Sequence, residues 1–375
     1  MTPGTELNWN TANRILCIRL DTLGDMIMTT PALRAIKETC PQAKLTLMTS
    51  AAGAAIAPQI PTVDEVIVYD APWLKATAPR ANSQPEYAMF DQLRDRGFDA
   101  AIIFTVYSQS PLPAAFMCYM AGIPLRLAHC HENPYQLLTD TIRDPEPEQF
   151  IRHEVQRQLD LVAHIGYQTA HPQMQLTVPA SAQAHISLLL QELGLDIHQP
   201  WIVIHPGATA PSRRYPPEYF AEVARSIVQS GIPVLFTGTE PEQALVDSIR
   251  EQIQVPSHSL VGQLTLAELS ALLAATPLLL SNNTGPVHIA AAVGTAVVDL
   301  YALTNPQHTP WSVPNRVLFH DVPCRNCYKS ICPEGHHHCL RLLSPDQVIA
   351  ATLELLEATW DKAIESLGSS EPIPV

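Results

Sequence analysis

Two aspartates lie at the first junction between a strand and a helix that the sequence predicts. The segment LDTLGDMIMTTPALRAIKETCP, residues 20–41, directly follows the apolar run ILCI. Many α/β proteins bind phosphate at such a junction, through free backbone N–H groups at the start of the helix. Here Asp21 and Asp25 flank Gly24, and carboxylates disfavour an anion. Aspartate at a helix start commonly caps the helix, so capping or a reaction that needs a carboxylate would explain the pair.

The segment SNNTGPVHIAAAVG, residues 281–294, predicts a second junction with a different chemistry. Thr284 and Gly285 stand where the helix begins, and free backbone N–H groups there form an anion site. His288 comes one turn later and can donate a hydrogen bond to a phosphate oxygen, although a single histidine there is more often structural. This segment therefore suits a phosphate.

A third group of reactive side chains lies near the end of the chain, in CRNCYKSICPEGHHHC. A C-x2-C pair with two further cysteines in a short loop is typical of zinc sites. Two interpretations stay open, a structural zinc and a thiol-lined or disulfide-prone loop, and a catalytic metal is not expected. The four candidate ligands are Cys324, Cys327, Cys332 and Cys339.

The composition indicates a chain with large cores and few charges. Its 375 residues suffice for two domains, 46% of them are apolar and only 15% are charged. The formal net charge of −14 argues against a nucleic-acid partner, because phosphate contacts need clustered basic residues. No apolar stretch opens the chain, and polar residues interrupt the apolar region 278–303. We therefore expect a cytoplasmic protein without a membrane span.

Short apolar runs alternate with helical periodicity in two successive series. Such alternation predicts βαβ units and parallel sheets. The polar stretch 167–183 reads as a linker, and the alternation restarts at WIVIHPG. We expect an N-terminal domain over 1–180 and a C-terminal domain over 181–375, the latter with the Cys-rich loop 324–339. The first series predicts strands at 14–20, 43–50, 63–70 and 100–106.

Three motifs follow one another along the chain: RLDTLGDMIMTTPALRAIKETCP, HPGATAPSRRYPPEYF and SNNTGPVHIAAAVG, with FTGTEPEQ between the last two. Together they resemble glycosyltransferase family 9, the bacterial ADP-heptose:lipopolysaccharide heptosyltransferases and their relatives. The likeness covers residues 14–358. It implies the GT-B architecture, with two Rossmann-like domains facing across a cleft and a C-terminal helix that could cross back to the N-terminal domain. In that family the donor binds mainly to the C-terminal domain and the acceptor mainly to the N-terminal one.

The resemblance gives the first junction a catalytic role. The family's proposed base is the aspartate after the LG pair, which here is Asp25. A sugar hydroxyl becomes a good nucleophile when its proton is removed as it attacks, and the helix dipole keeps a carboxylate there ionised. Asp21 is expected to serve only as a turn or cap residue.

The resemblance also places the diphosphate of the donor in the second half of the chain. Arg213 stands where the family has a lysine, and its planar fork suits phosphate. Arg214 is adjacent and could share that task. Gly207 is expected to let the backbone approach the ligand closely. Thr284, Gly285 and His288 complete the implied phosphate site.

Two further donor residues follow from the resemblance. Glu242, with Glu240 as the alternative, matches the glutamate that holds the ribose hydroxyls. An acidic helix start would explain the same residues equally well. Asn283 stands where the family has an aspartate, so the negative charge is lost there and the sugar of the donor could differ.

The expected activity is an inverting, metal-independent glycosyl transfer that needs no cofactor. Asp25 removes the acceptor proton, and the nucleoside diphosphate leaves toward Arg213 and the helix start. The expected donor is an ADP-sugar, with heptose as the sugar. The expected acceptor is a lipid-linked lipopolysaccharide-core or other envelope glycan, with peripheral contact at the inner membrane. The alternatives are a nucleotide-sugar epimerase of GT-B architecture and a non-catalytic protein that binds sugar nucleotides.

Overall fold

The chain folds into two α/β units, each built on one parallel sheet. The computed structural model describes residues 7–74, 77–196 and 198–368. The two compact units are Met1–Thr177 and Val178–Val375. The expected boundary at 180/181 falls at the start of the first helix of the second unit.

The N-terminal unit has a six-stranded sheet in the order β3-β2-β1-β4-β5-β6. Its strands are β1 (Arg14–Arg19), β2 (Lys44–Thr49), β3 (Glu65–Val68), β4 (Ala100–Ile103), β5 (Leu125–Cys130) and β6 (Asp140–Arg143). Its helices are α1 (Leu23–Thr39), α2 (Ala51–Ile56), α3 (Gln84–Arg96), α4 (Leu112–Met120) and α5 (Glu154–Ala163). Short 3₁₀ turns lie at Trp9–Thr11 and Ala57–Gln59.

The C-terminal unit repeats this strand order, because its sheet runs β12-β11-β10-β7-β8-β9. Its strands are β7 (Ile202–His205), β8 (Val234–Phe236), β9 (His258–Ser259), β10 (Leu278–Asn282), β11 (Ala296–Leu300) and β12 (Asn315–Leu318). Its helices are α6 (Ala180–Glu192), α7 (Pro217–Gln229), α8 (Gln243–Ile253), α9 (Leu266–Ala275), α10 (Gly285–Val293), α11 (His338–Arg341) and α12 (Pro345–Gly368). Short 3₁₀ turns lie at Pro211–Arg213 and Glu240–Glu242.

Helix α1 begins at Leu23, so Pro31 lies in its interior. Proline has no N–H and leaves the carbonyl four residues before it without its helical donor. The Thr30 hydroxyl donates to that carbonyl, on Ile27, at 2.7 Å. The side chain therefore replaces the missing backbone bond, and the buried helix continues through the proline.

Each sheet reverses its strand order between two neighbouring strands, β1 and β4 in one unit and β7 and β10 in the other. Ligands of open α/β sheets bind outside the carboxyl ends of the strands at such a reversal, where the connections leave a crevice. Asp21 and Asp25 follow β1, Gly207 follows β7, and Thr284 follows β10. The candidate residues therefore lie where each sheet offers a binding crevice.

The last helix belongs to the C-terminal unit. Helix α12 packs against α7 and against β10, β11 and β12. That it crosses back to the N-terminal domain stays a prediction. Over the part of the chain that the structure describes, no helix combines the length and apolar character needed to span a membrane.

Candidate active site

The carboxylate of Asp25 is held at the start of α1 by a reciprocal capping arrangement. The N-cap of this helix is Thr22, and Asp25 is the third helical residue. Asp25 Oδ2 accepts hydrogen bonds from the Thr22 backbone N–H at 3.1 Å and the Thr22 hydroxyl at 2.7 Å. Asp25 therefore does contribute to capping, as a capping-box residue. Its role as a base stays a prediction.

A buried arginine connects three carboxylates beside this helix. Arg19, at the end of β1, is fully buried and contacts Asp21 at 3.0 Å, Asp25 at 3.2 Å and Glu154 at 2.8 Å. Burial alone would lower the pKa of the Arg19 guanidinium, but the three carboxylates raise it. Burial raises the pKa of Glu154, against the opposing effect of Arg19. The sequence analysis did not predict a role for Arg19 or Glu154. The only signal was the basic residue Arg19 at the end of an otherwise apolar strand.

Asp21 does not cap α1, because the N-cap is the next residue, Thr22. Of the two expected roles, turn or cap, the turn remains, because Asp21 lies in the bend between β1 and α1. The Asp21 carboxylate instead pairs with Arg19 and accepts a hydrogen bond from Gln109 Nε2 at 2.5 Å. Burial raises the pKa of Asp21 to about 6, although Arg19 opposes the shift. The turn thus presents two carboxylates that share one cation.

In the C-terminal unit, Glu242 rather than Glu240 reaches the loop after β7. A Cβ added to Gly207 would lie 1.8 Å from Glu242 Oε1, so the missing side chain makes room for this carboxylate. Glu242 Oε2 accepts from the Thr239 N–H at 2.7 Å and its hydroxyl at 2.8 Å. The Glu240 side chain is exposed. Of the two glutamates, Glu242 is therefore better placed to contact a ligand bound at this loop. The absence of a side chain at Gly207 also leaves space for the Glu242 carboxylate.

The two candidate phosphate-binding arginines have different surroundings. Arg213 is half-buried, and its positive charge lowers the pKa of Asp299 and Tyr301 against the larger raising effect of burial. Arg214 is exposed, and its Nε donates to the Ala208 carbonyl at 2.8 Å. Arg213 therefore lies near the end of β11, whereas the hydrogen bond of Arg214 to Ala208 stabilises the loop after β7.

The structure supplies a carboxylate beside Asn283. Asn283 Nδ2 donates to Asp299 Oδ2 at 3.0 Å and to the His308 carbonyl at 2.8 Å. Asp299 is fully buried, and burial raises its pKa well above the usual range. A carboxyl group therefore lies next to Asn283, on the neighbouring strand β11. Sequence reasoning missed it, and the only signal was an aspartate inside the apolar run AVVDLYA.

Exchanging the amide of Asn283 and the carboxyl group of Asp299 should test whether these two side chains interact. We expect Asn283→Asp alone to lower the free energy of unfolding by about 1–3 kcal/mol at about pH 8, because two carboxylates would then adjoin. Adding Asp299→Asn should recover most of that loss. Denaturant unfolding of both single variants and the double variant gives the coupling energy. Strictly additive effects would show that the two side chains do not interact.

The start of α10 offers backbone donors more readily than the His288 side chain. Thr284 is the N-cap, and Pro286 in the first turn contributes no N–H. Thr284 and Gly285 are half-buried, whereas His288 is only 4% exposed and packs edge-on against His308, with ring centroids 6.3 Å apart. Contact of any of these groups with phosphate stays a prediction.

The Asn282 side chain connects the end of β10 to two neighbouring segments, and the sequence analysis gave this residue no role. Its Nδ2 donates to the Pro206 carbonyl at 2.7 Å, and its Oδ1 accepts from the Tyr215 N–H at 3.0 Å. The residue therefore ties the end of β10 to the loop after β7 and to the segment that follows Arg213. The doubled asparagine at the strand end was the available signal.

The Cys-rich loop contacts the turn that carries Arg213. The Ser212 hydroxyl donates to the Lys329 carbonyl at 2.7 Å, and the Ser212 N–H donates to the Ser330 carbonyl at 3.0 Å. All four cysteines of the loop are partly exposed free thiols. Within residues 7–74, 77–196 and 198–368, no three His, Cys, Asp or Glu side chains are arranged as metal ligands. That the four cysteines hold a structural zinc stays a prediction.

The chain is similar to known proteins of one family. The profile of glycosyltransferase family 9 (heptosyltransferase) matches residues 87–338. Lipopolysaccharide heptosyltransferase 2 of Escherichia coli (strain K12) is 26% identical over 363 residues, which cover 92% of this chain and 98% of that protein.

Solved structures show the same fold. The glycosyl transferase family 9 protein from Veillonella parvula DSM 2008 has a TM-score of 0.76 at 23% identity, covering 94% of this chain and 99% of that one. E. coli ADP-heptose lps heptosyltransferase II has a TM-score of 0.70 at 25% identity, covering 92% and 99%.

The profile spans well over half of the chain, and the full-length relatives contain both α/β units. The predicted α/β fold of the GT-B type, with two Rossmann-like domains, is confirmed. The protein belongs to glycosyltransferase family 9 and is a glycosyltransferase.

Proposed function

We propose that the protein transfers heptose from ADP-heptose to a lipopolysaccharide-core acceptor, with inversion and without a catalytic metal. The names of its relatives, lipopolysaccharide heptosyltransferase 2 and ADP-heptose lps heptosyltransferase II, support this donor and acceptor. The observation that carries the proposal is the placement of Asp25 at the strand-order reversal of the N-terminal sheet, ion-paired with Arg19. A lipid-linked acceptor would bring the enzyme into peripheral contact with the inner membrane.

The proposed reaction is a single displacement. The Asp25 carboxylate takes the proton of the acceptor hydroxyl, whose oxygen bonds to the anomeric carbon. The bond from that carbon to the phosphate oxygen breaks, and ADP leaves with its electron pair. Attack opposite the leaving group inverts the anomeric configuration. Pairing with Arg19 favours the ionised form of Asp25, which is the form that accepts a proton.

The C-terminal unit would bind the donor at its own strand-order reversal. Arg213 and the backbone N–H groups near Thr284 would hold the diphosphate, and Glu242 would hold the ribose hydroxyls. The positive charge of Arg213 stabilises the leaving group, which is why no metal is assigned to this step. Contact between Ser212 and the Cys-rich loop supports the turn that positions Arg213.

Arg213→Ala should weaken ADP binding by about ten- to a hundredfold, because charge-assisted hydrogen bonds contribute roughly 1.5–3 kcal/mol. Arg213→Lys should restore much of the affinity, since it keeps the charge. Isothermal titration calorimetry with ADP measures this, and Arg214→Ala is the matched control. Unchanged affinity in Arg213→Ala with a loss in Arg214→Ala would move the phosphate site to Arg214.

Product analysis separates the proposed transfer from the alternatives. Incubation with ADP-heptose and a truncated lipopolysaccharide acceptor should consume both and release ADP, also after treatment with a chelator. NMR of the new glycosidic bond should show an inverted anomeric centre. An epimerase would convert the donor without an acceptor, and a binding protein would consume neither.

A further inference from the structure

The ionic cluster at the start of α1 contains more carboxyl groups than cations. Arg19 contacts Asp21 at 3.0 Å, Asp25 at 3.2 Å and Glu154 at 2.8 Å. The Glu154 side chain is fully buried, and those of the two aspartates are each only 10% exposed. If all the carboxyl groups were ionised they would outnumber the guanidinium, and unbalanced buried charge is strongly unfavourable. A buried acid in this position avoids the cost by keeping a proton.

The neighbouring cation on α5 does not balance the excess. Arg157, on the next turn after Glu154, contacts Asp144 and Glu146 at 2.6 Å each. Both of these carboxyl groups are buried, so the charge of Arg157 is already paired. Strand β5 packs against α5, and its His129 contacts the Arg157 carbonyl. Burial lowers the pKa of His129 to about 4, so this imidazole is neutral at neutral pH. The cation that pairs with Glu154 is therefore the arginine of β1.

Hydrogen bonding identifies Glu154 as the carboxyl group that keeps a proton. Its Oε1 accepts from Gln158 Nε2 at 2.6 Å and lies 2.8 Å from Arg19 Nη1. Its Oε2 and the Oε1 of Gln158 are both buried, and neither has a hydrogen-bond partner among the described residues. Both atoms are acceptors, so a proton on Glu154 Oε2 would supply the donor that both lack. Burial also raises the pKa of Glu154, although Arg19 opposes the shift.

Asp25 has the opposite surroundings. Its Oδ2 accepts from the Thr22 N–H at 3.1 Å and the Thr22 hydroxyl at 2.7 Å, and its Oδ1 lies 3.2 Å from Arg19 Nη2. Hydrogen bonds to a carboxylate and a cation beside it both favour the ionised form. If Glu154 is neutral, the charge of Arg19 acts more strongly on Asp25.

We infer that Glu154 is a positioning residue of the proposed base and works as a neutral carboxylic acid. Its Oε1 anchors Arg19, and its proton leaves the positive charge of Arg19 to Asp25 and Asp21. The word base rests on the proposed function, but the protonation state of Glu154 can be measured without turnover.

Glu154→Gln is the decisive variant, because an amide has the shape of the neutral acid, keeps an oxygen for Arg19 and cannot ionise. The kcat of transfer should stay within about twofold of wild type, with the same acid limb of the pH–rate profile. The raised pKa of Glu154 makes the wild type lose stability as pH rises. Relative to the wild type, the unfolding constant of the variant should therefore fall by up to about tenfold per pH unit between about pH 5 and about pH 8.

Glu154→Asp tests the anchoring. The shorter side chain still carries a carboxyl group but draws it back from Arg19 Nη1, which lies 2.8 Å from Glu154 Oε1. Arg19 then no longer orients Asp25, and a displacement of about 1 Å can cost about a hundredfold in rate. We expect kcat to fall by about ten- to a hundredfold with unchanged affinity for ADP. A wild-type kcat would show that Glu154 does not position the base.

Glu146→Gln is the matched control, since Glu146 is also fully buried but lies between two guanidinium groups. It contacts Arg152 at 2.9 Å and Arg157 at 2.6 Å. A carboxylate between two cations stays ionised, so its loss should destabilise the protein about equally at about pH 5 and about pH 8. If Glu154→Gln were destabilised in the same flat way, Glu154 would be an ionised partner of Arg19, and the inference would be overturned.

Difference infrared spectroscopy detects the proton directly. At about pH 8, above the pKa of Asp21 of about 6, the wild type should show the carbonyl stretch of a protonated carboxylic acid, and Glu154→Gln should lack it. A wild type without this band would overturn the neutral acid. Exchange of the Arg19 guanidinium protons, followed by NMR, should be slow in wild type and Glu154→Gln and faster in Glu154→Asp. If no heptose transfer occurred, the proposed function would fail, whereas these two measurements would still confirm or refute the role of Glu154 toward Arg19.

Discussion

Asp25→Asn should lower the turnover of transfer by about 10²- to 10⁴-fold, which is the contribution typical of a general base. The amide keeps the size of the side chain, and its oxygen can still accept from the Thr22 N–H, as Asp25 Oδ2 does at 3.1 Å. The variant loses the ability to take a proton at the pH of the assay. Steady-state transfer assays, with thermal melts and ADP titrations on the same samples, measure the effect.

A second capping box provides the control for this variant. Glu268 in α9 accepts from the Thr265 N–H at 2.7 Å and from the Thr265 hydroxyl at 2.8 Å, an arrangement like that of Asp25 with Thr22. Glu268→Gln should change stability slightly and turnover not at all. If Asp25→Asn behaved like Glu268→Gln, Asp25 would be a capping residue only, and another group would have to receive the acceptor proton.

Arg19→Met should lower the free energy of unfolding by about 3–5 kcal/mol, because it removes the cation from a buried ionic cluster and leaves the carboxylates uncompensated. Arg19 is fully buried, and the side chains of Asp21 and Asp25 are each only 10% exposed. Denaturant unfolding at several pH values measures the loss. Since Arg19 orients Asp25, the folded fraction of the variant should also transfer sugar poorly.

The pH dependence of the free energy of unfolding tests whether the loss in Arg19→Met comes from the buried carboxyl groups. Burial raises the pKa of Asp21 to about 6, so its contribution to stability is complete below the unfolded pKa and is lost as pH rises through about 6. Without Arg19 the pKa values of Asp21 and Glu154 should rise further, because Arg19 opposes the effect of burial on both. The penalty of Arg19→Met should therefore be small at about pH 5 and large at about pH 8.

Another buried arginine supplies the comparison. The Arg126 guanidinium donates to the backbone carbonyls of Leu137 at 2.7 Å and Gln136 at 2.9 Å. Arg126→Met should therefore destabilise the protein about equally at both pH values, since its hydrogen-bond acceptors do not titrate. An equally flat pH profile for Arg19→Met would contradict the buried cluster.

Local periodicity was sufficient for the elements that carry the motifs. The run RILCIRL predicts a strand, and β1 (Arg14–Arg19) is there. The predicted strands at 43–50, 63–70 and 100–106 correspond to β2, β3 and β4. These runs concentrate apolar residues within a few consecutive positions, so their pattern is visible without any tertiary context.

Other strands had no such signal. Strand β5 (Leu125–Cys130) was missed because Arg126 and His129 interrupt its apolar pattern, although they are only 8% and 2% exposed. Arg126 is accommodated by backbone carbonyls of the connection between β5 and β6, and His129 by the Arg157 carbonyl at 3.2 Å. Strand β9 has only two residues, too few for any periodicity to be recognised.

The sequence by itself determined the family, the two α/β units and the residues at the strand ends, because motif spacing and hydrophobic periodicity are local properties of the chain. Only the tertiary structure decided that Arg19 meets Glu154, that Asn283 faces Asp299 and that Asp21 meets Gln109. Each of these pairs joins different elements of the fold. Which strand ends become neighbours depends on the strand order of the sheet, and local periodicity does not encode that order.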